Sequence, residues 1–211
     1  LFCAVTDPVA AQLVSSWDHP GENVTGTSDM IEMGSTVNLI LDILGNITKL
    51  GTIYNASEVN SVVLNDQLKA VCAPLGITVV ERTVSTSADV HTAAQSLVGQ
   101  VDAIWVGTDN TVVSGLEALI KVCEDNKIPL FPSDDPSIEK GGIACLGFDY
   151  YDVGYQTGEM AVKILKGTPA TDIPVELGKK FSYTVNTKAA QTYGVTIPQE
   201  ILDRALTIYN E

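Results

Sequence analysis

Short polar side chains recur in this sequence directly after apolar runs. Asn55, Ser57, Glu58 and Asn60 follow a run that ends in Tyr54. Thr108, Asp109 and Asn110 follow Ala103–Val106; Ser133 and Asp134 follow Ile128–Phe131; Asp149 and Tyr150 follow Ile143–Phe148. Asn and Ser offer donors and acceptors, Asp accepts from ammonium groups, and a helix N-terminus attracts carboxylate. Together they suit a zwitterion such as an amino acid, one pole meeting amides and the other meeting Asp. Sugar hydroxyls are the alternative ligand for the same set. For any single residue, capping or turn formation explains its presence as well as ligand contact does. Recurrence at several run ends favours a shared rim.

Catalytic patterns are missing from the sequence. It holds no GxSxG elbow, P-loop or GxGxxG. His19 precedes Pro20 in a turn and His91 opens a polar segment, so both read as solvated rather than as members of a triad. Asp134-Asp135 could serve acid–base or metal chemistry, but a capping turn before Pro136 is the simpler account, since no third acid has ligand spacing. Cys3, Cys72, Cys123 and Cys145 show no CxxC spacing and read as separate thiols in or beside a core. No metal and no cofactor is expected.

These residues need elements to hold them. Apolar runs bounded by turn signals and followed by helical patterns read as buried parallel strands. The strand expectations are Leu1–Val5, Asn23–Gly26, Leu50–Tyr54, Ile77–Arg82, Ala103–Val106, Ile128–Phe131, Ile143–Phe148 and Phe181–Val185. The helix expectations are Val9–Trp17 (capped by Asp7 with Pro8 next), Thr27 to Leu44, Val59–Ala73, a helix from a Thr86 capping box to near Val98, Thr111 to Glu124, Val153–Leu165, Thr187–Tyr193, and Pro198 towards Ala205. Such alternation with short connections predicts an α/β fold with doubly wound parallel sheets. Ligands of such sheets lie beyond the carboxyl ends of the strands, where the polar residues fall. One edge of one sheet should therefore carry Tyr54, Asn55, Thr108, Asp109, Ser133 and Asp134.

Composition bounds the partners. The 211 residues, 45% of them hydrophobic, can form one large or two small domains, and no run is long enough to span a bilayer. With 26 acidic against 12 basic residues, a formal charge of −14 disfavours nucleic acid. Four Phe and two Trp leave little for an aromatic lining. The chain opens on Leu1 directly into an apolar run, which reads as a fragment or processed product with upstream sequence missing.

The motifs AVTDPVAAQLV, PGENVTGTSD, GTIYNASEVNS, VDAIWVGTDNTV, FPSDD and FDYYDVGYQTGEMAVKILKG, in that order, resemble the TrpX-like family of ABC-transporter substrate-binding proteins. The resemblance covers essentially the whole chain. It implies a two-lobed type I periplasmic-binding-protein fold with a ligand cleft between the lobes. It also implies capture of a small solute, commonly an aromatic amino acid such as tryptophan, and its delivery to a membrane permease by an extracytoplasmic, often lipid-anchored, protein. Under this resemblance residues 1–27 and 147–180 are the remnant of an incomplete first lobe, and 28–146 with 181–211 are the second. The ligand-contacting residues would be Thr6, Asp7, Tyr54, Asn55, Glu58, Asn60, Thr108, Asp109, Asn110, Ser133, Asp134, Asp149 and Tyr150, with Asp109 meeting the ammonium and Tyr54 or Tyr150 an aromatic side chain. An incomplete lobe would leave a strand edge and an apolar patch open to self-association.

Two other classes compete. An effector domain of a transcription regulator would share the fold and need a helix-turn-helix elsewhere. An α/β enzyme would use Asp109 or Asp134, without a recognisable nucleophile or cofactor motif.

Overall fold

The structure is a computed structural model, which describes residues 1–21 and 23–210. The chain divides into two compact units, Leu1–Ile31 with Phe148–Phe181, and Glu32–Gly147 with Ser182–Glu211. In order the first elements are β1 (Thr27–Ser28), α1 (Met33–Leu44), β2 (Lys49–Tyr54), α2 (Val59–Cys72), β3 (Thr78–Thr83) and α3 (Val90–Gln95). There follow β4 (Ala103–Val106), α4 (Asn110–Ser114), α5 (Leu116–Asn126), β5 (Leu130–Pro132), α6 (Asp135–Lys140) and β6 (Ala144–Phe148). The chain closes with α7 (Tyr150–Leu165), β7 (Glu176–Leu177), β8 (Phe181–Asn186), α8 (Thr187–Tyr193), α9 (Gln199–Arg204) and β9 (Ala205–Tyr209).

In the larger unit, four strands in the order β3-β2-β4-β5 form a sheet whose neighbours all run parallel. Leu50, Ile53, Ala103, Ile104, Trp105 and Leu130 are wholly buried in it, as continuous apolar strands covered on both faces must be. Leu64 and Leu68 of α2 and Leu119 of α5 are buried against this core. Chain order reverses between β2 and β4, so their carboxyl ends flank a topological switch point. A second sheet orders β6-β8-β9, and a bond from Ile143 N to Leu130 O leads from β5 to the segment entering it.

The smaller unit has a two-stranded parallel ladder of β1 and β7, extended by a bridge between Phe2 and Gly26. Helix α7 turns Val153, Gln156 and Met160 inward. Thr157 Oγ1 lies 2.6 Å from Thr27 Oγ1, and Gln156 Nε2 donates to Glu176 Oε2 at 2.9 Å and Leu177 O at 3.1 Å. Gly26 is required here: a Cβ on it would sit 2.1 Å from the carbonyl oxygen of Phe2.

Several elements depart from the sequence expectation. Leu1–Val5 is not a strand beyond the single bridge at Phe2, and Ala4 takes φ 54°. Val9–Trp17 is not a helix. Asp7 Oδ1 does accept from Val9 N and Ala10 N, but Gln12 at φ 57° stops the turn after one cycle. The strand expected at Asn23–Gly26 lies at Thr27–Ser28, and the next helix starts at Met33 under a Glu32 cap. The helix expected from Thr111 to Glu124 is two helices divided at Gly115, where a Cβ would approach Ser87 O to 2.7 Å. Strands β7 and β9 were not anticipated. Ala205–Tyr209 continues a helical pattern in sequence, yet pairs in parallel with β8.

Candidate functional site

The parallel register places the ends of β2, β4 and β5 side by side, with Leu50 opposite Ala103, Ile104 opposite Leu130 and Val106 opposite Pro132. Asn55, Thr108, Asp109, Ser133 and Asp134 therefore follow strand carboxyl ends along one edge of a single sheet, as the sequence predicts. What they do there is more specific than a polar mouth.

Asp109 is 1% exposed. Its Oδ2 accepts from Asn55 N at 2.7 Å and Ser61 Oγ at 2.6 Å, and its Oδ1 caps α4 through Val112 N at 2.8 Å. The carboxylate thus ties the loop after β2, helix α2 and helix α4 together. Glu58 supplies a second tie, with Oε2 accepting from Asn110 N and Nδ2 and Oε1 from Thr111 N and Oγ1, at 2.7–3.0 Å. Burial pushes the Glu58 carboxyl up, but those bonds outweigh it and hold the group below its ordinary value. Asn60 Nδ2 reaches Thr108 O at 2.8 Å, and Asn55 joins Ser57 N to Thr111 Oγ1. Ser61 and Thr111, which sequence reading passed over, are integral to this mesh.

The remaining expected residues serve mainly local structure. Ser133 Oγ donates to Val106 O at 2.9 Å, Asp134 caps α6 through Ser137 N, and Asp149 caps α7 through Tyr151 N. The hydroxyl of Tyr54 donates to Glu81 on the adjacent strand at 3.1 Å, so this ring turns along the sheet rather than out over the rim. Asp109, expected to meet a ligand ammonium, has its carboxylate committed to its own chain instead.

The smaller unit gathers a different cluster. Thr6 Oγ1 donates to Asp29 Oδ1 at 2.9 Å and Tyr150 OH to Asp29 Oδ2 at 3.0 Å. Ser28 Oγ donates to Thr6 O at 2.7 Å and fixes the Thr6 loop against β1. Asp29 is 5% exposed, and burial raises its carboxyl above the ordinary value despite both hydroxyl donors. Among the described residues, no Lys, Arg or His forms an ion pair with it. Asp29 escaped the sequence reading because Thr27-Ser28-Asp29 passes for a helix cap once the strand is set four residues early. Among the described residues, no group of three or more His, Cys, Asp and Glu side chains could hold a metal.

Comparisons with known proteins agree with this architecture. The chain is 43% identical over 175 residues to a tyrosine-binding protein of Clostridioides difficile, a match covering 83% of this chain and 51% of that protein. It spans about half the length of the curated relatives it matches. A conserved domain protein from Vibrio cholerae superposes with TM-score 0.94 at 41% identity, over 99% of this chain and 70% of that one. An ABC domain from Streptococcus pneumonia, solved in complex with L-Trp, gives TM-score 0.92 at 35% identity, over 98% of this chain and 70% of its own. The sequence model of the ABC transporter substrate binding proteins matches residues 1–208, and this chain belongs to that family.

Proposed function

We propose that the protein is the solute-binding component of an ABC importer and that its solute is an aromatic amino acid, tyrosine or tryptophan. The observation that carries the reading is the 43% identity to a protein named for tyrosine binding, and the likeness to a domain solved with L-Trp supports it. Membership of a family of substrate binding proteins supports binding rather than catalysis. Its partner would be a membrane permease and its place of work extracytoplasmic, as the family implies. Among the described residues no helix is long and apolar enough to cross a membrane.

A thermal-shift screen of the protein against the twenty amino acids, glucose and galactose tests the reading. A ligand that binds only the native state raises the midpoint in proportion to the logarithm of its concentration over Kd. Stabilisation by L-tyrosine or L-tryptophan above the other solutes is expected. Stabilisation by a sugar with no response to any amino acid would overturn it.

A further inference from the structure

We propose that Asp29, held by Thr6 and Tyr150, is the residue that recognises the ammonium group of the solute; this rests on the amino-acid reading above. The sequence assigns that role to Asp109, and the surroundings of Asp109 and Asp29 separate the two carboxylates. Asp109 receives three donors from its own chain and is sealed at 1% exposure. Asp29 receives one neutral hydroxyl on each oxygen, besides a hydrogen bond from its own backbone, which leaves acceptor capacity on the carboxylate, and among the described residues no Lys, Arg or His forms an ion pair with it. A buried carboxylate without a cationic partner is costly to the folded state and is retained where something else meets it. An ammonium is that partner, because it brings one positive charge and three donors to oxygens that still have lone pairs free.

The three contributors arrive from separate parts of the smaller unit. Thr6 follows the bridged residue Phe2, Asp29 follows β1, and Tyr150 begins α7. Thr6 and Tyr150 act as positioning residues. Each points a hydroxyl hydrogen at Asp29, so the carboxylate is oriented before a solute arrives. Tyr150 is 43% exposed while its hydroxyl meets Asp29. The cluster thereby selects amines over their des-amino counterparts, whatever side chain the solute carries.

Calorimetric titration of the wild type and of Asp29→Asn with L-tryptophan and with indole-3-propionate, which lacks the amine, tests the assignment. The wild type should prefer L-tryptophan, and Asp29→Asn should lose roughly 10- to 100-fold in affinity for it, the range for a hydrogen bond to a charged group. Its affinity for indole-3-propionate should be unchanged or higher. Asp29→Asn that keeps the wild-type preference would overturn the assignment and leave the amino-acid reading intact. Wild type that binds glucose or galactose but neither indole compound would overturn both. Tyr150→Phe keeps the carboxylate and the ring and carries the test if the Asn variant does not fold. It should lose several-fold for L-tryptophan and nothing for indole-3-propionate, and an equal loss for both would count against the assignment.

Discussion

Asp109→Ala should damage the fold of the larger unit rather than a ligand contact. Three donors lose their acceptor at once: Val112 N at the start of α4, Asn55 N after β2, and Ser61 Oγ within α2. Loss of a side-chain cap costs about 1 kcal/mol. Each buried donor left unsatisfied costs about 1–3 kcal/mol. Ser61 is 2% exposed and Val112 is wholly buried, so water can relieve only the Asn55 end. The sum is about 3–5 kcal/mol, a large part of the 5–15 kcal/mol that holds a typical domain together. Urea unfolding followed by far-ultraviolet circular dichroism reads this as a lower midpoint at unchanged slope. A loss below about 1 kcal/mol, with binding of L-tryptophan abolished, would refute the structural role of Asp109 and return it to the ligand.

Three further outcomes follow from the same geometry. Glu58 has a depressed native value, so its contribution is complete above the ordinary 4.5 and is lost as pH falls through the native value. Glu58→Gln should therefore flatten the acid side of the stability profile, and a variant profile parallel to wild type would contradict this. Asp29 acts in the opposite sense: its raised value makes stability decline as pH rises from 3.8 through the native value. Asp29→Asn should thus melt at or above the wild-type temperature at pH 7, and a fall of many degrees would argue that the carboxylate serves folding. Of the four cysteines only Cys3 is exposed, while burial pushes Cys72 to about 11, Cys123 to about 12 and Cys145 further still. Ellman's reagent at pH 8 should find one fast thiol in the native protein and four in denaturant, and more than one fast native thiol would be inconsistent with the buried placements.

The parts of the fold that the sequence made legible are those where local pattern and tertiary setting agree. Ala103–Val106 and Thr187–Tyr193 lie where the apolar run and the helical period put them, because Val-Gly and Tyr-Gly punctuation ends both. The rim at the ends of β2, β4 and β5 was legible for the same reason. Val9–Trp17 was misread because its helical period is overruled at Gln12, whose left-handed backbone no composition announces. Ala205–Tyr209 was missed because its partner, β8, lies about twenty residues earlier, and only the ladder makes it a strand. In the site, sequence identified which polar residues share an edge but not which of them are used up by one another. Asp109 and Asp29 look alike as letters after a strand; the donors that converge on each come from distant segments.

The most direct test is a structure of the protein with L-tryptophan bound. The assignment of Asp29 places the ligand nitrogen within about 3 Å of its carboxylate, with the Thr6 and Tyr150 hydroxyls still on Asp29 and the Asp109 bonds to Asn55, Ser61 and Val112 intact. A nitrogen bound to any other acidic residue, with Asp29 away from the ligand, would contradict it.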